Sequence, residues 1–450
     1  MTGRIMDRRG FLGGALAGAT ALGLDACSAG RRARRLAVPG AHLPGSRPFP
    51  HAPVGTDMIP EIEHIVVLML ENHSFDNILG MLGRGDGFSL DGDGHPTATN
   101  PYGNQTLHAF HMPTPCQLVN EPSNSWDAAH LAFDGGTCQG FANHSSGPVA
   151  MGYYDATDLP FTYGLARTFP INDRYFSSVM AQTFPNRRFL ISGTALGIVE
   201  DSLPSAVPRR GVIFQELSKH GISWRDYHAQ LPTLATYFPL AQDRSLRPNL
   251  VPVDQFFTDA RDGTLPSFSL VDPNFDEDSE ENPQDIQYGE VFLAQVVDAL
   301  LASPSWEKIL FIWNYDEHGG YFDHVPPPAA VPPDDVPPDI TVPPNQPGGY
   351  DRYGFRVPMG VVSPYAKPEY VSHVVSDHTS ILKLVETKWN LPALTRRDAS
   401  ASDLLDMIDL KGPPAFLDPP TLPRPADPRA RAQCTTTGPG TIPPPSALSA

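Results

Sequence analysis

The stretch EIEHIVVLMLENHSFDNILG, residues Glu61–Gly80, decides how the chain is read. Within it, Ile65-Val66-Val67-Leu68-Met69-Leu70 is an apolar run without polar alternation. That pattern suits a strand covered on both faces, as in a parallel sheet flanked by helices. The run stops at a carboxylate and an amide, Glu71-Asn72. Open α/β sheets collect ligands where their strands end at the carboxyl edge. Glu71 and Asn72 therefore offer two oxygen ligands at a functional edge, the alternative being that they simply begin a turn.

A second run behaves alike. Lys308-Ile309-Leu310-Phe311-Ile312-Trp313 reads as a buried strand and ends in Asn314-Tyr315-Asp316-Glu317-His318-Gly319-Gly320. Two apolar strands broken by acidic residues weaken the turn-only interpretation. Between them lies Gln182-Thr183-Phe184-Pro185-Asn186-Arg187. Pro185 suits the first turn of a helix running toward Ser192-Gly193, with Thr183 standing just before its start. Thr183 is then either an N-cap or a hydroxyl beside free backbone N–H groups, a place that favours a phosphoryl oxygen.

Further elements complete an α/β pattern. Ile213–Lys219 reads as a helix closed by Gly221, and Ile222–Tyr227, Leu265–Val271 and Met359–Val362 read as strands. Leu293, Val296, Val297, Leu300 and Leu301 recur at amphipathic-helix spacing. Asp377 caps a helix with Ile381, Leu384, Val385 and Trp389 inside, and His378 in its first turn is read as structural. Met151–Phe176 reads as mostly helical. Residues 83–150 and 325–349 read as loop insertions, 30–60 as a linker, and 413–450 as a Pro-rich disordered tail. The catalytic domain is placed at 61–412.

Composition sets outer bounds. The chain has 450 residues, 40% hydrophobic, with a formal net charge of −18, which argues against a nucleic-acid partner held by phosphate contacts. Its 50 prolines are about double the usual ~5%. Asp7-Arg8-Arg9-Gly10-Phe11-Leu12 ahead of a Gly/Ala-rich stretch to Leu24 reads as a twin-arginine export signal spanning 1–29, too short and weakly apolar to be a transmembrane helix. Leu24-Asp25-Ala26-Cys27 resembles a lipoprotein cleavage box, giving a lipid anchor on Cys27, with cleavage after Ala29 as the rival outcome. The expected location is the cell envelope or the medium. In that oxidising setting a Cys116–Cys138 bridge is expected, leaving Cys434 over.

Glu71, Asn72, Thr183, Asp316 and Glu317 form an all-oxygen set. Hard ligands of this kind suit one divalent cation of the Ca²⁺, Mg²⁺ or Mn²⁺ class. An ion beside the Thr183 hydroxyl would activate it as a nucleophile and offset phosphate charge. The implied chemistry is a two-step transfer through phosphothreonine, with helix N–H groups stabilising the transition state.

The segments ENHSFDNILG, QTFPNRRFLISGTA, ISWRDY, SPSWEKILFIWNYDEHGGYFDHVPPP, GFRVPMGVVSPYA and SDHTSILKLVE resemble the bacterial phosphoesterase family from about residue 60 to 410. That family contains non-haemolytic phospholipases C and a group of acid phosphatases, with a core like those of alkaline phosphatase and the sulfatases. The resemblance implies a three-layer α/β/α sandwich with a mostly parallel sheet and one metal. It matches Glu71, Asn72, Asp316 and Glu317 to the ligands and Thr183 to the nucleophile. Acid phosphatases of the family carry serine there and the phospholipases threonine, so a phosphate ester, with a phospholipid as the leading case, is the expected substrate. Thr183-Phe184-Pro185-Asn186-Arg187 also mimics the sulfatase pattern, but threonine cannot become formylglycine.

Two positions depart from the family. Asn124 and Asn282 stand where the phospholipases carry histidines that line the phosphate pocket. Asparagine donates a hydrogen bond but supplies no proton. His130, His318 and His73 are candidates for that role. The departures leave an acid-phosphatase-like monoesterase as the alternative, and a non-catalytic envelope-binding protein as the alternative from another class.

Overall fold

A computed structural model describes residues 42–116, 122–275, 277–282, 284–341 and 345–428. The export segment, Cys27, Cys434 and the last part of the tail lie outside these residues.

Eight strands form the main sheet: β1 (His64–Leu70), β2 (Ile171–Asn172), β3 (Trp224–His228), β4 (Leu250–Pro252), β5 (Phe268–Val271), β6 (Ile309–Tyr315), β7 (Met359–Val362) and β8 (Val371–Ser372). Their spatial order is β8-β2-β7-β6-β1-β5-β3-β4. β7 pairs antiparallel with both its neighbours, and every other pairing is parallel. β1 lies at the centre and is buried along nearly its whole length, as a strand without polar alternation must be. Helices flank the sheet, giving the three-layer α/β fold. The helices that matter below are α1 (Phe75–Leu79), α2 (Trp126–Phe133), α3 (Thr183–Ser192), α4 (Gln287–Leu301) and α5 (His378–Trp389). α3 packs on α5, whereas α4 packs on helices 160–168 and 254–262. No helix among the described residues is long and apolar enough to cross a membrane.

Local signals explain most of these elements. α5 is capped by Asp377, whose backbone N–H donates to Ser380 Oγ (3.1 Å), and is followed by Asn390 in the left-handed conformation (φ 47°). Ile381, Leu384, Val385 and Trp389 are all buried. Residues 151–176 are mixed rather than mostly helical: one helix, Pro160–Thr168, sits among the short strands Gly152–Tyr153, Ile171–Asn172 and Tyr175–Phe176.

The described part of the expected linker is docked. Asn390 turns its amide outward to hold the carbonyls of Phe49, Ala52 and Pro53. Lys388, itself buried, reaches Asp57 at 2.7 Å. A proline-rich strap loses little conformational freedom when fixed, so a few such bonds suffice to hold it. The early tail behaves likewise. The Phe416 ring packs on Phe169 at 4.6 Å, and its carbonyl accepts the Trp306 Nε1–H.

The expected Cys116–Cys138 bridge does not form. Cys138 is a free, buried thiol, and Cys116 is disulfide-bonded elsewhere. Cys138 instead sits near the ion network of Asp76, Asp323 and Arg356; burial, then those carboxylates, push its thiol up to about 12.

Glu290 on α4 is fully buried and accepts N–H bonds from Thr162 (2.9 Å) and from Ala426 of the tail (3.3 Å). Burial lifts its carboxyl from the ordinary 4.5 to about 7 against those N–H bonds. A raised folded-state value means stability that is present at acid pH and lost as pH rises through about 7. Glu290→Gln therefore narrows the difference in unfolding free energy between pH 5 and pH 8 by up to about 3 kcal/mol. Urea unfolding at the two pH values checks this, and an unchanged difference contradicts it.

Candidate active site

The register of the sheet builds the site. β1 and β6 run side by side with Leu70 opposite Tyr315, so the next residues, Glu71 and Asp316, emerge together at the carboxyl edge. Backbone pairing continues past the strands, since the Asp316 N–H reaches the Leu70 carbonyl at 3.1 Å. Glu317 follows and folds back. Its Oε2 accepts the Gly319 N–H (2.8 Å), while its Oε1 accepts Asn72 Nδ2 (2.7 Å) and Asn124 Nδ2 (2.8 Å). Gly319 has φ +61°, and a side chain there would collide with the Asn72 backbone; only glycine closes this turn cheaply. Thr183 Oγ1 donates to Glu71 Oε2 at 3.1 Å. The five separated oxygen-bearing residues thus meet in one place.

Arg187 ties them together. It lies one turn after Thr183 on α3, hence on the same helix face. Its guanidinium reaches Asp272 just after β5 (2.6 Å), Glu71 after β1 (3.3 Å) and Asp316 after β6 (3.7 Å). Three neighbouring strand ends therefore share one buried cation. This residue was present in the sequence motif but unrecognised as part of the site, although its spacing from Thr183 was a usable signal. Asp272 carried none, being a lone carboxylate after a short strand.

The charge balance is uneven. Glu71, Asp316 and Glu317 are essentially fully buried, and each offers an oxygen within 4.8 Å of the others. Burial raises Glu71 to about 7 despite Arg187, and burial followed by the Glu71 charge pushes Asp316 well above the usual carboxylate range. Asp316 Oδ2 makes no hydrogen bond. A buried oxygen without a donor, in a cluster of like charges, fits a cation; this acidic group could hold a metal ion.

The start of α3 differs from expectation. The helix begins at Thr183, with Gln182 preceding it and Pro185 in third position. Thr183 is not an N-cap, because its hydroxyl turns to Glu71. Its neighbour Phe184 donates its N–H to Asp201 Oδ1 at 2.7 Å. Pro185 has no N–H, and that of Asn186 reaches the Gln182 carbonyl at 3.4 Å. The expected set of free helix donors for a phosphoryl group is mostly committed.

The candidate histidines separate. His130 stacks on Trp126 (4.1 Å) from α2 and lines a different cavity with Phe133, Met180 and Arg352. His73 is stacked on Tyr321 and bonds the Glu280 carbonyl; burial lowers it to about 4, so it stays neutral. His318 is buried against Phe355 with Nδ1 3.3 Å from Glu317 Oε2, behind the carboxylates. Asn124 touches Glu317, whereas Asn282 accepts the Tyr321 hydroxyl (3.1 Å). His378 holds the Asp316 carbonyl at 2.6 Å from beneath, a structural position.

A cavity of about 280 Å³ opens over Thr183 and Glu71, walled by Phe184, Arg187, Asp201, Leu231, Thr233, Phe275 and Glu281. Replacing Arg187 by Ala strands Glu71, Asp272 and Asp316 without their shared cation. We expect a loss of about 3–5 kcal/mol in unfolding free energy of the metal-free protein, the range for breaking a buried ion pair on one side. Urea denaturation measures it, and a loss below about 1 kcal/mol contradicts the clamp.

Comparison with known proteins accords with this geometry. The phosphoesterase family model matches residues 62–392. Phospholipase C B of Mycobacterium tuberculosis is 33% identical over 420 residues, covering 79% of each chain. Non-specific phospholipase C5 of Arabidopsis thaliana is 30% identical over 406 residues, covering 80% of this chain and 76% of that one. A solved alkaline phosphatase superfamily protein from Vibrio parahaemolyticus superposes with a TM-score of 0.37 at 11% identity, over 72% of this chain and 76% of that one. The carboxylate edge, the threonine above it and the matched span make this chain a member of the phosphoesterase family, a hydrolase acting on phosphoric ester bonds.

Proposed function

We propose that the chain is an exported, metal-dependent phospholipase C-like phosphodiesterase that works through a phosphothreonine at Thr183. The observation that carries the reading is the 3.1 Å hydrogen bond from Thr183 Oγ1 to Glu71 Oε2 at the rim of a buried carboxylate cluster. The names of the curated relatives, phospholipases C of a mycobacterium and a plant, favour a phospholipid substrate.

Glu71, Asp316 and Glu317 would hold the cation, with Asn72 and Thr183 adjoining through their hydrogen bonds. A bound divalent ion supplies positive charge that offsets the phosphoryl oxygens and lowers the pKa of the neighbouring hydroxyl. Glu71 orients the Thr183 oxygen and stands ready to accept its proton. Oγ attacks phosphorus, an Oγ–P bond forms, and the bond from phosphorus to the leaving alcohol breaks, the alcohol taking its proton from solvent water while the Thr183 proton rests on Glu71. Water then attacks phosphorus, cleaves the Oγ–P bond and restores the hydroxyl. Neither Asn124 nor Asn282 delivers the proton. Export through the Arg8-Arg9 segment, with or without a lipid on Cys27, would place this activity at the cell envelope or outside it.

Thr183→Ala should lower phosphodiester turnover by roughly a thousandfold or more, with Thr183→Ser retaining measurable activity. Acid quenching during turnover, followed by mass spectrometry, should find the phosphoryl adduct on the Thr183 peptide. Chelation should abolish turnover and a divalent cation restore it. Turnover by Thr183→Ala within about tenfold of the parent chain would reject the nucleophile assignment.

A further inference from the structure

The cavity over Thr183 is poorly supplied with anion-binding groups. Glu71, Asp201 and Glu281 stand in its wall, and Arg187 is the one cation among the described residues lining it. That guanidinium is already shared by Asp272, Glu71 and Asp316. Helix N-termini ordinarily offer free N–H groups to phosphoryl oxygens. At α3 the N–H next to the nucleophile is given to Asp201, Pro185 has none, and that of Asn186 is committed to Gln182.

A phosphomonoester dianion brings three non-bridging oxygens and two charges, whereas a diester brings two oxygens and one charge. We propose that Asp201 is a specificity-determining residue that selects phosphodiesters over phosphomonoesters, by taking the Phe184 N–H and setting a negative charge in the wall beside Thr183. This inference rests on the phosphoester reading of the site. The same charge acts after the chemistry. Attack of Thr183 on a diester leaves a phosphothreonine that is still a monoanionic diester, and its hydrolysis by water gives a phosphomonoester. That product gains a second charge and is repelled by the group that admitted its parent.

Two substitutions separate the components. Asp201→Asn removes the charge and keeps an acceptor for the Phe184 N–H; Asp201→Ala removes both. With the full chain and a divalent cation, kcat/KM is measured for p-nitrophenyl phosphate and for bis(p-nitrophenyl) phosphate. The monoester-to-diester ratio should rise roughly fivefold or more in Asp201→Asn, and further in Asp201→Ala, the scale of one unit charge at a solvated rim. Inhibition by inorganic phosphate should tighten in the same order. A ratio for Asp201→Asn within about twofold of the parent chain overturns the proposal. Should the parent chain turn over neither ester, the phosphoester reading fails, and calorimetric binding of inorganic phosphate decides the Asp201 question by itself. Tighter binding to Asp201→Asn sustains the role, and equal binding overturns it.

Discussion

The structure depends on how one buried arginine answers several carboxylates. Adjacent parallel strands deliver Asp316, Glu71 and Asp272 to one edge, where burial removes the water that would screen their repulsion. Arg187 satisfies part of this charge and in doing so pins α3 over the edge. Because Thr183 lies one turn earlier on the same face, fixing the guanidinium also fixes the hydroxyl against Glu71. A packing requirement and the placement of the Thr183 hydroxyl are thus met by a single contact set. Asp316 Oδ2, which Arg187 Nε approaches only to 3.7 Å and which makes no hydrogen bond, leaves a demand that a cation could meet.

The supporting shell is arranged to the same end. Glu317 is held by the Gly319 N–H and by the amides of Asn72 and Asn124, so it presents a fixed carboxylate rather than a mobile one. His378, kept neutral by burial, braces the Asp316 carbonyl from below. His318 stands behind Glu317 instead of facing the cavity. His73, His318 and His378 thus each hold a structural contact around the carboxylates.

Much of this was legible in the sequence because local rules governed it. The unbroken apolar runs before Glu71 and Asp316 marked central strands, and their acidic ends marked the site, since strand burial and the carboxyl-edge rule need no long-range information. Capping at Asp377 was equally local. Other features were settled by partners far away in the chain. Nothing near Asp201 marks it as the acceptor at the start of α3, 17 residues earlier. His130 follows Asn124 by six residues in the chain, yet it lines another cavity with Phe133, Met180 and Arg352. Cysteine pairing failed for the same reason, because two thiols in one loop region do not fix which neighbours they meet. Composition alone also does not show which proline-rich segments dock: residues 42–60 lie as a strap because Lys388-Trp389-Asn390 offers them bonds.

We propose that Glu71, Asp316 and Glu317 make one cation site in the folded chain. Titration of the metal-free protein with Mn²⁺, followed by electron paramagnetic resonance, tests it most directly. One tight site per chain is expected. It should vanish in Asp316→Asn yet persist in Asp76→Asn, whose carboxylate belongs to the separate cluster already paired with Arg356 and His324. Tight binding that survives Asp316→Asn, or none in the parent chain, would contradict the account.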